Sequence, residues 1–402
     1  MIEKLTFDRI YQAREVLKGI IRETPINDTS RLADDFELFV KMESLQKTGS
    51  FKIRGAYFKI FNLSDEEKSR GIIAASAGNH AQGVAYTSRK LGINATIVMP
   101  KDAPLQKVTN TAKHGAKVEL FGNTFQEAYY HALEVAKENN LTFIEPYDDI
   151  DVIAGQGTIG LEILDQCPEV DVVFVPVGGG GLAAGIAYAI KTLKPTCKVY
   201  GVEAKDVNSM KKSIEEKEIV SISNPKTIAD GIAVSKVGTL TYDICKTYLD
   251  GIIEVDDEAT SVAILTLMER SKIVSEGAGA IAVAAALSNQ VNLKGKKVVS
   301  VLSGGNIDVT LLSRLIDVAL RNLGRKVEIS TTIQDKPGEL AHLLEIISNT
   351  GANIIKISHN RLSKRVKIGS SAVNIELETL NHNHIDRIVN LLEEQGFLVE
   401  II

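Results

Sequence analysis

The segment of residues 172–185 limits the possible folds of this chain more than any other. It opens with the unbroken apolar run Val-Val-Phe-Val-Pro-Val, which predicts a strand buried on both faces. Four consecutive glycines, residues 178–181, then lead into an apolar helical segment. Bare backbone between a strand and a helix N-terminus offers several N–H groups to an anion. The segment therefore predicts a phosphate-binding loop at the carboxyl end of a buried strand.

Two kinds of phosphate ligand fit this loop. Residues 179–184 match the dinucleotide pattern G-x-G-x-x-A, and Glu203 closes the next predicted strand, where a ribose-binding carboxylate is expected. This match favours a NAD-dependent dehydrogenase. Glycine loops after strands also hold smaller phosphates, and the lack of Lys-Ser/Thr after the glycines excludes a nucleotide P-loop. The rest of the chain has to decide between the two.

Short apolar strands alternate with helices up to residue 323. The predicted strands are residues 38–42, 72–75, 95–99, 117–121, 141–144, 172–177, 198–202, 252–255 and 298–302. This alternation is typical of open, mostly parallel sheets with helices on both faces. Ligands of such folds bind at the carboxyl ends of strands, where the small-residue loops 76–80 and 303–306 also lie. A further helix is predicted to open at residues 156–158.

A lysine, Lys52, stands at the start of a predicted helix, just after the turn formed by residues 48–51. A cation is disfavoured at a helix N-terminus, and the same positive end lowers the pKa of an amine. The alternative interpretation is a solvated surface lysine. Ser303, in the loop after a strand, is by itself equally consistent with an ordinary helix N-cap.

The pattern changes near residues 324–326. The predicted order from there is strand, helix, strand, strand, helix, strand, at residues 327–333, 339–349, 353–359, 372–378, 385–394 and 397–401. This order is that of a ferredoxin-like module. A basic loop, residues 361–367, joins its second and third strands. His382 and His384 provide too few ligands for a metal site, so we expect a solvated helix entry there.

Composition excludes several classes of protein. The net charge is −5, with no tryptophan and no basic tract, which argues against a nucleic-acid partner. Cys167, Cys197 and Cys245 are far apart, as expected of thiols in a reducing compartment. The longest apolar run, residues 278–287, is too short to span a bilayer, and the first residues show no signal-peptide pattern. We therefore expect a cytoplasmic protein with no membrane partner.

Five motifs, taken together, resemble the threonine/serine dehydratase family. They are residues 50–56 (SFKIRGA), 76–83 (SAGNHAQG), 178–182 (GGGGL), 276–279 (EGAG) and 303–306 (SGGN). This family uses pyridoxal phosphate on the tryptophan-synthase-β-like fold, PLP fold type II. The resemblance implies an α/β catalytic domain over residues 1–323, with two open α/β subdomains, the smaller one (about 45–150) inserted in the larger. Residues 327–402 resemble a regulatory ACT domain through the patterns at 335–340 and 351–354.

The resemblance also implies a role for each matching residue. Lys52 forms the covalent link to pyridoxal phosphate and then removes the substrate α-proton, for which a lowered amine pKa is useful. The other implied cofactor-binding residues are Phe51 and Gly231 at the ring, Asn79 at its 3-oxygen, Ser303 at its nitrogen, and Gly178, Gly179, Gly180, Gly181 and Leu182 at the phosphate. The amides around Ser76, Asn79 and His80 are implied to hold the substrate carboxylate.

The implied reaction is β-elimination, which converts L-threonine to 2-oxobutanoate and ammonia and, as a side activity, L-serine to pyruvate. A serine at the ring nitrogen disfavours a long-lived carbanion. Serine racemases of this family carry a second serine at the position of Ala77, and alanine cannot transfer a proton, so we expect elimination. A serine dehydratase or racemase is the alternative. Related enzymes use the position of Glu203 for a divalent cation; here we expect a surface carboxylate, with cation binding as the alternative.

For the C-terminal domain, the resemblance implies pairing with a copy from another subunit of a homodimer or homotetramer. A small effector, either a branched-chain amino acid or a nucleotide, is expected near Asp335, Pro337, Gly338 and Asn353. A module that serves only assembly is one alternative. A non-catalytic amino-acid sensor built around this domain is another.

Overall fold

The computed structural model of the chain describes residues 5–361 and 367–402. It divides into two compact units, Met1–Asp308 and Val309–Ile402. The helix Val309–Asn322 groups with the second unit in this division. Two ion pairs link this helix to the rest of that unit: Asp317 lies 3.0 Å from Lys326, and Arg321 lies 3.7 Å from Glu376.

The first unit alternates strands and helices along its described residues. Its strands are β1 (Ile26–Asp28), β2 (Glu37–Met42), β3 (Ile72–Ala75), β4 (Ala95–Met99), β5 (Lys117–Leu120), β6 (Thr142–Phe143), β7 (Val172–Pro176), β8 (Lys198–Ala204), β9 (Gly251–Val255) and β10 (Lys297–Leu302). Its helices are α1 (Phe7–Leu17), α2 (Lys52–Phe61), α3 (Asp65–Arg70), α4 (Asn79–Leu91), α5 (Leu105–Lys113), α6 (Phe125–Glu138), α7 (Ile150–Gln166), α8 (Gly181–Leu193), α9 (Ser209–Glu216), α10 (Thr239–Tyr248), α11 (Asp257–Thr266) and α12 (Gly277–Leu287).

Two sheets organise these elements. The large sheet has the order β1-β2-β10-β7-β8-β9 and is parallel except for the β1–β2 pair. The small sheet, β5-β4-β3-β6, is parallel throughout. The strands of the small sheet lie between β2 and β7 in the chain, so the small sheet interrupts the large one. β7 is buried along its whole length, as its apolar run predicts.

The order of the large sheet positions the loops of interest. β2, β10 and β7 are neighbours, so the loops that follow their carboxyl ends meet at one edge. Ser50 forms an antiparallel bridge with Gly304, and the Phe51 N–H donates to the Ser303 carbonyl at 3.1 Å. The predicted gathering of loops at the strand ends is therefore confirmed for the turn before α2 and the loop after β10.

One predicted boundary is wrong. Residues 156–158 lie inside α7, which begins at Ile150. The Asp149 carboxylate caps this helix by accepting the N–H groups of Asp151 at 2.8 Å and Val152 at 3.2 Å. In the described residues, no helix has the length and apolar character needed to cross a bilayer.

The second unit has the predicted ferredoxin-like order after its first helix. Its elements are α13 (Val309–Asn322), β11 (Lys326–Gln334), α14 (Glu339–Asn349), β12 (Asn353–Asn360), β13 (Ser370–Glu378), α15 (His382–Glu394) and β14 (Val399–Ile401). The sheet is antiparallel, in the order β12-β13-β11-β14. Alternate residues of β11 and β13 are buried, as expected of a sheet with one covered face. Most of the predicted basic loop lies outside the described residues.

Candidate active site

Lys52 is the first residue of α2, and its amine points into the first unit. The Nζ donates a hydrogen bond to the Pro146 carbonyl at 3.0 Å and lies 5.3 Å from the centre of the Phe51 ring. Loss of solvation lowers the pKa of Lys52 to about 8, although the nearby Glu276 carboxyl acts in the opposite direction. The alternative of a solvated surface lysine is therefore wrong.

The glycine loop after β7 has its carbonyls turned to one side. The Thr241 hydroxyl donates to the Gly179 carbonyl at 2.6 Å, and the Cys245 thiol lies 3.8 Å from the Gly180 carbonyl. Because a trans peptide is planar, the N–H groups of Gly180 and Gly181 point the opposite way. No side chain among the described residues caps α8, which begins at Gly181. The loop therefore presents N–H groups that an anion could accept.

The same loop has no room for side chains. A Cβ on Gly179 would lie 2.3 Å from the Tyr147 ring, one on Gly180 would lie 2.7 Å from Met210 Cε, and one on Gly181 would lie 2.9 Å from the Tyr147 carbonyl. Bare backbone is thus required, as a phosphate cradle needs. Tyr147 follows Pro146, whose carbonyl binds the Lys52 amine. The amine and the cradle therefore lie against the same short segment.

Close helix packing fixes α2 relative to the cradle. A Cβ on Gly155 of α7 would lie 2.6 Å from Gly55 Cα in α2. A Cβ on Gly185 of α8 would lie 2.4 Å from the Ile153 carbonyl of α7. Since α2 begins at Lys52 and α8 begins in the glycine loop, these backbone contacts hold the amine and the loop at a set separation.

A buried charge cluster anchors the first turn of α2. The Arg54 guanidinium donates to both Glu43 oxygens, at 2.7 and 2.8 Å, and to both Glu162 oxygens, at 2.5 and 2.9 Å. Lys41 lies 2.6 Å from Glu162. The side chains of Arg54, Lys41 and Glu43 are fully buried. Opposite charges are therefore paired in full, as burial requires.

The loop after β3 reaches the site through Asn79, the first residue of α4. Its Nδ2 donates to Glu276 Oε1 at 2.7 Å, and its Oδ1 accepts from Asn306 Nδ2 at 2.7 Å. Ser76 Oγ accepts the Gly78 N–H at 3.1 Å. No side chain among the described residues caps α4, so its first amides could hold a carboxylate.

His80 follows Asn79 and is buried. Its Nε2 lies 3.0 Å from the Ile144 carbonyl. Burial, and the nearby positive charge of Lys52, lower the pKa of His80 to about 3, so the ring is neutral. Only the backbone N–H of this residue, and not its ring, could therefore contact a substrate carboxylate.

Ser303 and Gly231 lie against the start of α12. The buried Ser303 hydroxyl donates to the Ala278 carbonyl at 3.0 Å, and no helix of the described residues begins directly after Ser303, so the N-cap alternative is wrong. A Cβ on Gly231 would lie 3.0 Å from the Ala278 Cβ and 3.8 Å from Glu276 Oε1. These contacts bring together residues predicted from loops far apart in the chain.

Sequence reasoning assigned no role to three residues that shape the site. Glu276 stands in one of the quoted motifs and accepts the Asn79 amide. Thr241 orients the glycine loop, and the Tyr147 ring lies against it. Thr241 and Tyr147 carry no local pattern, so no sequence signal could have found them.

Known proteins are similar to this chain in sequence and in fold. A sequence model of the family described as pyridoxal-phosphate dependent enzyme matches residues 17–304. The chain belongs to this family. The L-threonine ammonia-lyase of Thermotoga maritima is 48% identical over 400 residues, which cover 99% of this chain and 100% of the relative.

Two further matches cover the catalytic part. The catabolic L-threonine dehydratase TdcB of Staphylococcus aureus is 48% identical over 317 residues, which cover 77% of this chain and 92% of the relative. The structure of the processed form of threonine deaminase isoform 2 from Solanum lycopersicum matches with a TM-score of 0.74 and 39% identity, covering 78% of this chain and 94% of that one. The predicted α/β fold of PLP type II is thereby confirmed.

Membership in the pyridoxal-phosphate-dependent family decides between the two phosphate ligands. The cofactor is pyridoxal phosphate, and the NAD-dependent dehydrogenase alternative is wrong. The hydrogen bonds of Glu203 are consistent with the absence of a ribose-binding role. Its two oxygens accept the N–H groups of Met210 at 2.8 Å and Lys211 at 2.9 Å, so the carboxylate is already engaged at the start of α9.

The expectation that Glu203 is a surface carboxylate is also wrong. The residue is fully buried, because α9 folds back over the end of β8. Burial raises the pKa of Glu203 to about 8, although its hydrogen bonds with the two backbone N–H groups act in the opposite direction. Among the described residues, no group of three or more His, Cys, Asp or Glu side chains could hold a metal ion.

The predicted effector residues of the second unit lie at two ends of its sheet. Asp335 follows β11, and Arg361 Nε donates to both of its carboxylate oxygens, each at 2.9 Å. Gly338 directly precedes α14 and has a φ of 95°. Asn353 pairs with Glu378, which pairs with Lys326 at the opposite end of β11. Within one chain, Asn353 and the loop at residues 335–338 therefore do not meet.

Proposed function

We propose that this chain is an L-threonine ammonia-lyase, which converts L-threonine to 2-oxobutanoate and ammonia and, as a side activity, L-serine to pyruvate. The observation that carries the proposal is the Lys52 amine, held at the Pro146 carbonyl with a pKa of about 8. Such an amine is partly unprotonated near neutral pH. The identity to the T. maritima L-threonine ammonia-lyase along almost the whole of both chains supports the substrate.

The residues of the site fit pyridoxal phosphate. The N–H groups of the glycine loop hold the phosphate, and the neighbouring atoms leave no space for a Cβ on Gly179, Gly180 or Gly181. When bound, the cofactor supplies an electron sink for the charge that develops on the substrate α-carbon. The residues proposed to hold it are Phe51, Lys52, Asn79, Gly178, Gly179, Gly180, Gly181, Leu182, Gly231 and Ser303.

Lys52 is the covalent anchor and the catalytic base. Its Nζ takes the proton from the substrate α-carbon, and the bond between the β-carbon and the hydroxyl oxygen then breaks. The hydroxyl takes up a proton and leaves as water. The released enamine reacts with water to give 2-oxobutanoate and ammonia. Desolvation of the amine favours this role because the unprotonated form is the active one.

The substrate carboxylate binds at the start of α4, to the amides around Ser76, Asn79 and His80. The neutral His80 ring fixes this turn through the Ile144 carbonyl and does not take part in proton transfer. Ala77 lies in the same loop and carries no group that could return a proton to the α-carbon. Elimination is therefore favoured over racemisation.

The test compares the rate of 2-oxobutanoate formation from L-threonine with that of pyruvate formation from L-serine. We expect yellow protein with a higher specificity constant for L-threonine, and borohydride should fix the cofactor to Lys52. Lys52→Ala should abolish both rates. The matched control is Lys59→Ala, which removes a lysine of the same helix that forms an ion pair with Asp149. This variant should keep both rates within about twofold of the wild type. A Lys52→Ala variant with the normal rate would disprove the proposal.

The second unit is a regulatory ACT domain in this proposal, and the catalytic domain comprises residues 1–323. Support comes from the ferredoxin-like order of β11 to β14 and from the turn at residues 335–338 before α14. The effector is a small molecule, and a branched-chain amino acid is the first candidate. The free thiols of Cys167, Cys197 and Cys245 support a reducing compartment, the cytoplasm.

The separation of Asn353 from the loop at residues 335–338 bears on how the effector binds. A pocket that uses both needs Asn353 from a second copy of the chain, because the two lie at opposite ends of β11. This supports pairing of ACT domains in a homodimer or homotetramer. Sedimentation equilibrium of the full chain tests it, and a monomer that binds the effector would contradict it.

A further inference from the structure

Glu276 is a buried carboxyl in the middle of the candidate site, and the proposed reaction gives it no task. It is 5% exposed, and its Oε1 accepts a hydrogen bond from Asn79 Nδ2 at 2.7 Å. A Cβ on Gly304 would lie 2.2 Å from the same oxygen, so the loop after β10 has no side chain there. The carboxyl is therefore closely surrounded and aimed at Asn79.

The other end of the Asn79 amide is also fixed. Asn306 Nδ2 donates to Asn79 Oδ1 at 2.7 Å and to the Thr48 carbonyl at 2.8 Å. A flipped Asn79 amide would place its NH₂ against the Asn306 NH₂ and its oxygen against the Glu276 carboxyl. The contact with Asn306 would be repulsive in every case and the contact with Glu276 whenever its carboxyl is ionised, so the partners favour one orientation. In that orientation, one Nδ2 hydrogen is used by Glu276 and one remains.

We propose that Glu276 is a positioning residue, which fixes the Asn79 amide so that its second Nδ2 hydrogen donates to the 3-oxygen of the cofactor. The inference rests on the proposed function of the site, in which Asn79 contacts that oxygen. Glu276 acts through Asn79 and touches neither substrate nor cofactor in this role.

For this role, the position of the Glu276 acceptor oxygen matters more than the charge of the carboxyl group. Burial and the Asp230 carboxylate raise its pKa to about 7, while the Asn79 hydrogen bond and the Lys107 ammonium act in the opposite direction. Lys52 is the other charged group that faces it. A proton on Oε2 leaves Oε1 able to accept from Asn79, so both protonation states hold the amide.

Two substitutions separate the effect of side-chain length at position 276 from the effect of its charge. E276Q keeps the length of the side chain and an oxygen acceptor but removes the charge. E276D keeps the charge but withdraws the acceptor by one methylene. The readout is the dissociation constant of pyridoxal phosphate from refilled apoenzyme, followed by the absorbance of the bound cofactor. We expect E276Q to stay within about twofold of the wild type and E276D to bind about tenfold more weakly.

A double-mutant cycle then tests whether Glu276 acts through Asn79. N79A should weaken cofactor binding about tenfold, and E276D/N79A should bind like N79A because the amide that Glu276 holds is gone. E254D is the matched control, since Glu254 of β9 also accepts a hydrogen bond from an asparagine amide, that of Asn208, but lies outside the candidate site. It should leave the dissociation constant unchanged. Circular dichroism checks that each variant folds.

Each outcome decides the inference. Multiplication of the E276D and N79A effects in the double variant overturns it, as does E276Q binding more weakly than E276D. A wild-type protein that binds the cofactor but forms no 2-oxobutanoate contradicts the proposed function. The double-mutant cycle still tests the role of Glu276 in that case, because it measures cofactor binding and not activity. A reversed order of E276Q and E276D in an enzyme that consumes L-threonine contradicts only the role of Glu276.

Discussion

A single buried imidazole makes part of the first unit sensitive to acid. The pKa of His80 is lowered to about 3 in the folded protein, against about 6.5 in an unfolded chain. Below pH 6.5 the unfolded chain therefore binds a proton that the folded protein does not, and stability falls as the pH falls. Between pH 7.5 and 5.5, we expect His80→Asn to lose about 1.4 kcal/mol less than the wild type in the free energy of unfolding.

Urea unfolding of the cofactor-free protein at the two pH values measures this difference. Asn is the chosen replacement because its Nδ2 can still donate to the Ile144 carbonyl that the ring contacts. Carboxylates that titrate in the same range contribute equally to both proteins and cancel in the comparison. Equal losses for the two proteins would show that His80 is protonated in the folded state, contrary to its burial.

Arg54 allows a prediction about buried charge. Two buried cations, Arg54 and Lys41, face two buried anions, Glu43 and Glu162. Arg54→Met would leave Glu162 with the Lys41 ion pair and Glu43 without an ion pair among the described residues, and we expect a loss of about 3–5 kcal/mol in the free energy of unfolding. The control is Arg14→Met at an exposed pair with Asp165, which should cost about 0–1 kcal/mol. Similar losses for the two variants would contradict this account.

At the scale of elements, the glycines between α7 and α8 should be sensitive to the smallest added side chain. Gly185→Ala places a methyl group 2.4 Å from the Ile153 carbonyl and should lower the free energy of unfolding by about 1–3 kcal/mol. Because α8 also begins in the glycine loop, cofactor binding should weaken as well. Gly251→Ala in β9 is the control, since its methyl would lie 3.4 Å from the Tyr200 ring, an ordinary contact. Thermal unfolding and cofactor titration measure both effects, and equal behaviour of the two variants would disprove the argument.

Elements with a local signal could be predicted from the sequence, and elements defined by distant partners could not. The bounds of β3, β4 and α14 were predicted to the residue, because each is an apolar or amphipathic run closed by small or polar residues. The start of α7 was missed because Asp149, which caps this helix, lies in a polar segment that is typical of a turn. β1, with only three residues, was missed because its apolar signal is too short.

The same distinction applies to the candidate site. The loops after β3, β7 and β10 were predictable, since each joins small residues to the carboxyl end of a strand. The burial of Glu203 was not, because it depends on α9 folding back over β8. The pairing of Asn79 with Glu276 spans 197 positions, and such long-range contacts leave no mark in a single sequence.

At the scale of the whole molecule, catalysis and regulation should be separable. The S. aureus dehydratase aligns over 92% of its length with only 77% of this chain, which leaves it little room for a counterpart of the second unit. A chain ended at Leu323 retains the whole first unit, and we expect it to convert L-threonine at a rate within about threefold of the full chain. The full chain should change its rate when isoleucine or valine is added, and the shortened chain should not. Initial rates at a threonine concentration below KM measure this difference. A shortened chain that still responds would place the effector site within residues 1–323, and the loop at residues 335–338 would then have no part in it.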